Sequence, residues 1–304
     1  MDAAHEVAEV DEQRHQPTDE ALFNESVYLD VVDASGNVGG YVRLGLYPNL
    51  GVIWWTAAVT IAGRGPVVAA RYDLGAPKTG FDISDDGVSV TYAVDEALRQ
   101  VTVVASSPAK SYAAPEAAYD EAAGKDVDIA LSLTWSTAGV PYHYAITTRY
   151  EIPCTVVGTI TVDGEQFTVA GPGQRDHSWG VRDWWSFGWC WSAIHFNDGR
   201  TLHLADIRID GVPPLGYVQK DGVVASLEVA NTSEVTNRDG IASSAHFVIE
   251  PGGFTVEVTP TGFGPLLLVS EDGKIDRFPR AMVEAKTSDG AFGRGWIEWN
   301  QPQI

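Results

Sequence analysis

Cysteine is almost missing from this chain. Only Cys154 and Cys190 occur in 304 residues, too few for a disulfide framework, and neither a CxxC pair nor a Cys/His zinc spacing is present. Basic residues are also scarce: 20 Lys and Arg stand against 41 Asp and Glu, a formal net charge of -21. Binding to phosphate backbones and anionic headgroups is driven by Lys and Arg, so nucleic acid and membrane surfaces are poor partners. No stretch approaches the roughly 18 apolar residues of a spanning helix, and the N-terminus is acidic rather than basic and then apolar. Integral membrane association is therefore not expected, a cytoplasmic location is, and no oligomeric state follows.

Long amphipathic helical patterns are lacking as well. The chain is 44% hydrophobic and only 20% charged, so it has ample material for a core. From Ser26 onward the pattern alternates as strands do, with Val27, Leu29 and Val31 followed by a break at Ala34-Ser35-Gly36-Asn37. Asp-Gly pairs at Asp86, Asp163, Asp198, Asp210, Asp221, Asp239, Asp272 and Asp289 punctuate runs rich in Val, Ile, Thr and aromatics. Repeated hairpin signals predict an all-β, antiparallel sheet or barrel architecture. Residues 1–22 read as a frayed tail or a surface arm. Residues 106–125, rich in Ala, Glu and Pro, read as an insertion loop. A boundary at Gly171-Pro172-Gly173 divides the chain into β halves at 23–172 and 173–304.

The chemistry concentrates at Asp176-His177-Ser178-Trp179-Gly180 and its continuation, because five of the ten tryptophans lie between Trp179 and Trp191. Read as a strand, residues 185–196 place Trp185, Phe187, Trp189, Trp191 and His195 on one face and smaller residues on the other. A buried Asp has its pKa raised and can hold a proton at neutral pH, a neighbouring His can orient it, and indole faces can stabilise a cation. Asp176 and His177 are accordingly the candidate catalytic pair. Trp179, Trp185, Trp189, Trp191, His195, Arg182 and Asp183 are candidate substrate contacts, together with Glu25, Tyr28 and Trp55 from the first half. A structural reading competes with this one: a Trp-rich strand can be barrel core, and Arg182 and Asp183 can be a loop ion pair. His177, His195, His203 and Asp176 have no diagnostic ligand spacing, so no metal is expected.

Asp176-His177-Ser178-Trp179-Gly180 resembles the Asp-His-x-Trp-Gly signature of the carotenoid 1,2-hydratase (hydroxyneurosporene synthase) superfamily, which includes AttH-like proteins, kievitone hydratase and Diels-Alderase-type pericyclases; the chain looks closest to a bacterial branch without an assigned activity. The resemblance implies two tandem lipocalin-like β-barrels enclosing an apolar pocket, with no metal or organic cofactor. It also implies a hydratase, or a related lyase or isomerase, acting on a C=C bond of a terpenoid or prenylated small molecule, with Asp176 as the motif acid. A non-catalytic lipocalin-like carrier and a cyclase or pericyclase are the alternatives. Arg175 stands where the signature has an apolar or aromatic neighbour, and if it met Asp176 it would favour the ionised carboxylate.

Overall fold

The computed structural model describes residues 7–303. Among them there is no α-helix, only short 3₁₀ turns, and no helix is long and apolar enough to cross a membrane. The strands of the first half are β1 (Phe23–Val32), β2 (Val38–Tyr47), β3 (Val52–Ile61), β4 (Val67–Gly75), β5 (Ile83–Asp85), β6 (Val88–Glu96), β7 (Gln100–Ser111), β8 (Lys125–Ser136), β9 (Tyr142–His143), β10 (Arg149–Val162) and β11 (Glu165–Val181). They form one antiparallel sheet in the order β4-β3-β2-β1-β11-β10-β8-β7-β6-β5. The end of β7 leaves β6 and pairs with β4, at Val67 opposite Ser111 and Val68 opposite Lys110, which closes the sheet on itself.

The second half contributes β12 (Trp189–Phe196), β13 (Thr201–Ile207), β14 (Leu215–Lys220), β15 (Val223–Ser226), β16 (Val229–Thr236), β17 (Ala242–Glu250), β18 (Phe254–Phe263), β19 (Leu266–Val269), β20 (Ile275–Phe278), β21 (Arg280–Thr287) and β22 (Phe292–Pro302). Its main path is β15-β14-β13-β12-β22-β21-β18-β17-β16, with the β19–β20 hairpin attached to β22. The Asp-Gly pairs sit in turns. At Asp86, Asp163 and Asp221 both the Asp and the following Gly have positive φ, the pairing that two-residue hairpins require.

Three differences from the sequence reading have physical causes. Strand β11 runs unbroken through Gly171-Pro172-Gly173, because both neighbours pair with it there or close by; the sheets part instead at residues 182–188, so the motif belongs to the first sheet. The 106–125 insertion shrinks, since residues 106–111 are the end of β7 and only the stretch after Ser111 forms two 3₁₀ turns before β8. The N-terminal segment is no frayed tail over its described part. Glu12 enters the first barrel and accepts both Arg175 guanidinium nitrogens, at 2.7 and 3.2 Å, with both side chains sealed from solvent.

The interiors of the first barrel and of the barrel-like second half are packed with side chains. Val27, Leu29, Leu44, Trp55, Trp135 and Tyr150 fill the first, and Cys190, Ile194, Phe247, Val256 and Trp299 the second. A third cluster, including Tyr28, Tyr41, Trp184, Trp191, Met282 and Trp296, is the seam where the sheets meet. This arrangement explains why every residue of β1 and β2 is buried: one face covers the barrel core and the other the second sheet. Strand β8, whose outer face meets solvent, mostly alternates buried and more exposed positions beyond its start. Gly295 permits the close fit of β12 on β22, as a Cβ there would lie 1.8 Å from the Ala193 carbonyl oxygen. The seam is fastened by Trp296 Nε1 donating to Val31 O at 3.0 Å and Tyr41 OH donating to Gly264 O at 2.9 Å.

Candidate functional site

Strand alternation divides the motif. Arg175 and His177 point into the first barrel, while Gln174, Asp176 and Ser178 point into the seam. Asp176 and His177 are therefore neighbours in sequence but face opposite sides of the sheet, and His177 cannot orient or reprotonate Asp176. For the same reason Arg175 does not meet Asp176.

Within the seam, two cross-strand rows face each other. In the first sheet Arg43 lies opposite Tyr28, Tyr28 opposite Asp176, and Asp176 opposite Glu151. In the second, Trp191 lies opposite Glu298 and Glu298 opposite Arg280. Directly opposed residues on one face of a sheet have adjacent side chains, so these rows bring together groups far apart in the sequence. All of them except Glu151, together with Ser26, Arg149, Arg182, Trp184 and Trp189, line a cavity of about 20 Å³, room for about one water molecule.

Arg149 organises the acids. Its Nη2 donates to Asp176 Oδ2 at 2.5 Å and its Nε to Glu151 Oε1 at 2.8 Å. Glu151 also accepts from Trp191 Nε1 at 3.0 Å and Gln174 Nε2 at 2.9 Å. Asp176 Oδ1 receives no hydrogen bond from the described residues. Burial pushes the Asp176 carboxyl up to about 7; Arg149 opposes the shift, and the Glu151 and Glu298 carboxylates add to it. Burial likewise raises Glu151 despite Arg149. Arg280 donates to Glu298 Oε2 at 2.7 Å and is enclosed by the rings of Tyr28, Tyr41 and Phe278. Beside Glu151, His203 is held neutral: burial and the Arg149 charge push its pKa well down. His203 Nδ1 donates to Ser192 O at 3.1 Å, which leaves Nε2 to accept from Tyr144 OH at 2.6 Å.

A second opening, of about 640 Å³, lies between β4, the 3₁₀ turns and β19, with Val68, Tyr72, Tyr112, Tyr119 and Leu266 in its wall. An aromatic row joins the two openings, with Trp54 6.5 Å from Trp184 and 5.0 Å from Tyr72 between ring centroids.

Of the residues singled out from sequence, Asp176, Tyr28, Arg182, Trp189 and Trp191 meet at the seam cavity. His177, Glu25 and Trp179 gather elsewhere, at the first barrel's mouth, where the arm residue His15 stacks on Trp179 at 3.6 Å. There Glu25 Oε1 lies 2.8 Å from His15 Nδ1 and 3.0 Å from His177 Nε2. Burial alone would raise the Glu25 pKa, but these hydrogen bonds outweigh it and hold it below the usual range. His15, Glu25 and His177 each offer a ligand atom within 4.8 Å of the others, so a metal ion would find its donors there, while the hydrogen bonds already satisfy the group. Trp55 is core of the first barrel. His195 lies at the far end of β12, lining shallow openings beside Cys154. Asp183 accepts from Trp185 N and Ser186 Oγ within its own turn, and Trp185 packs on the seam without lining the cavity. The small-residue face of β12 leaves no ligand space, because Cys190, Ile194 and Phe196 fill the second core.

The sequence reading missed Arg43, Arg149, Glu151, Arg280 and Glu298. Their signal is a charged residue set in an otherwise apolar strand, as in Tyr41-Val42-Arg43-Leu44 and Trp296-Ile297-Glu298-Trp299.

A family model described as Domain of unknown function (DUF7064) matches residues 8–303. No curated protein matches the sequence. Among solved structures, an AttH-type protein from Nitrosomonas europaea superposes with a TM-score of 0.63 at 14% identity, covering 92% of both chains. Kievitone hydratase from Nectria haematococca gives 0.60 at 11% identity, covering 98% of this chain and 94% of its own. CghA gives 0.57 at 11% identity, over 93% and 89%. At these identities the likeness is one of fold.

Proposed function

We propose, from the premise that the chain belongs to this DUF7064 family, that it is a cofactor-independent acid catalyst of the hydratase or isomerase type. Its substrate would be a hydrophobic, terpenoid or prenylated small molecule bound in the seam. The observation that carries this reading is the Asp176 carboxyl, buried among aromatic rings with a pKa of about 7 and one oxygen free of protein donors. Arg149 occupies Oδ2, so the proton belongs on Oδ1.

In the hydration direction, Oδ1–H protonates one alkene carbon and the π electrons form the new C–H bond. The tertiary or allylic cation left behind is stabilised by the faces of Tyr28, Trp189 and Trp191. Water then adds to the cation and its surplus proton returns to the Asp176 carboxylate, so the acid is regenerated. The resting cavity has room for only about one water, so a substrate must displace the residues 182–188 connection, which carries Arg182 and Trp184. Its apolar body would then follow the Trp184–Trp54–Tyr72 row toward the larger groove.

The test begins with native mass spectrometry of the purified protein to identify a bound apolar molecule. That class is then incubated with wild type and Asp176→Asn in heavy-oxygen water. Turnover should fall by about a hundredfold or more in the variant with ligand binding retained. Label in a new hydroxyl marks a hydratase, and a converted but unlabelled product marks an isomerase or cyclase. Binding without any conversion by wild type would make the protein a carrier and reject the reading.

A further inference from the structure

We infer that the seam cavity recognises an oxyanion, so that the molecule bound there is an amphipathic organic acid: an apolar framework carrying a carboxylate or a comparably acidic oxygen, gripped by Arg43 and Arg182. The inference rests on the seam being the ligand site. Four guanidinium groups, those of Arg43, Arg149, Arg182 and Arg280, surround this one cavity. Two of them are spoken for: Arg149 holds Asp176 and Glu151, and Arg280 holds Glu298.

Arg43 and Arg182 are not. Among the described residues neither has a carboxylate within ion-pair distance; Arg43 donates to Asn24 Oδ1 at 3.1 Å and reaches the neutral Tyr47 hydroxyl, and the Arg182 side chain donates to Ser178 Oγ at 3.3 Å. Both stack on Trp184, at 4.9 and 5.5 Å from its centroid. Arg43 is only 5% exposed. A buried guanidinium without an anion is costly, and a stacked indole replaces only part of its lost hydration. The site is also shaped for it: Gly45, next along the same face of β2, has no side chain, and a Cβ there would lie 2.4 Å from Arg43 Nη1. Burial and the neighbouring Arg182 and Arg280 charges depress the Arg43 pKa to about 10, a repulsion that an entering anion would relieve. Planar guanidinium donors suit a planar carboxylate, and place it next to the Asp176 acid.

The experiment uses matched carboxylate and alcohol pairs, hexanoate with hexanol, cinnamate with cinnamyl alcohol, geranate with geraniol and farnesoate with farnesol, titrated by calorimetry and by the emission of the tryptophans. In at least one pair the carboxylate should bind about tenfold or more tighter than its alcohol. Arg43→Gln and Arg182→Gln should each bring that ratio down toward one, and Arg43→Lys should keep part of it. Should Arg43→Gln lose its wild-type circular dichroism spectrum, Arg182→Gln, on the connection outside the sheets, carries the test. Equal affinities in every pair, no carboxylate bound, or a preference that survives both substitutions overturns the inference. Asp176→Asn separates it from the proposed function. Preference retained while the variant still turns over rejects the acid and leaves the anion site; Asp176-dependent turnover without preference rejects the anion site and leaves the acid.

Discussion

The pKa of Asp176 makes a prediction that needs no substrate. In the unfolded chain its carboxyl titrates near the ordinary 3.8, whereas in the seam burial raises it to about 7. A raised pKa means that the folded state binds the proton more tightly than the unfolded chain does. The associated stability is fully present below about pH 4 and is lost as pH rises through 7. Integrating the linkage relation between these two values, the Asp176 contribution declines by about 2–3 kcal/mol between pH 5 and pH 8. Asp176→Asn keeps the volume but cannot ionise. Whatever it costs by weakening the bond to Arg149, that cost has no titration of its own at this position. The stability of the variant relative to wild type should therefore improve by about 2–3 kcal/mol from pH 5 to pH 8. Urea denaturation of both proteins at half-unit pH intervals measures this difference, with titrating groups remote from Asp176 cancelling between them and the neighbouring Glu151 contributing to the same pH dependence. Parallel curves, or a variant that loses ground as pH rises, would refute a protonated Asp176 and with it the acid role.

Two further outcomes test the architecture. Glu12→Gln leaves the Arg175 guanidinium buried without its counter-charge, so urea denaturation should show a loss of about 3–5 kcal/mol, large for a residue so near the N-terminus. Gly295→Ala drives a Cβ into the Ala193 carbonyl and must shift β12 against β22, so stability should fall by about 1–3 kcal/mol while Gly51→Ala, in open space but at φ +71°, tests backbone conformation alone.

The sequence by itself determined the class of fold. Period-two runs separated by Asp-Gly turns leave few choices other than antiparallel sheet, and the turn chemistry is local: Asp86-Gly87 needs only its own φ angles to reverse the chain. It also singled out Asp176, Tyr28, Arg182, Trp189 and Trp191, because a carboxylate among indoles is unusual wherever it lies. What it did not determine is which groups share a face. The adjacency of Asp176 and His177 suggested a pair, yet a strand sends successive side chains to opposite sides, so one lines the seam and the other the barrel mouth with Glu25. The true neighbours of Asp176 come from strand registry: Tyr28 and Glu151 lie opposite it, and Arg149 reaches it from two residues before Glu151. Registry is a property of paired strands up to about 150 residues apart, and so is the meeting of the two sheets that gathers four arginines around one cavity. Only the tertiary structure could place the seam cavity between the two halves, because the interior of each half is already filled by its own side chains.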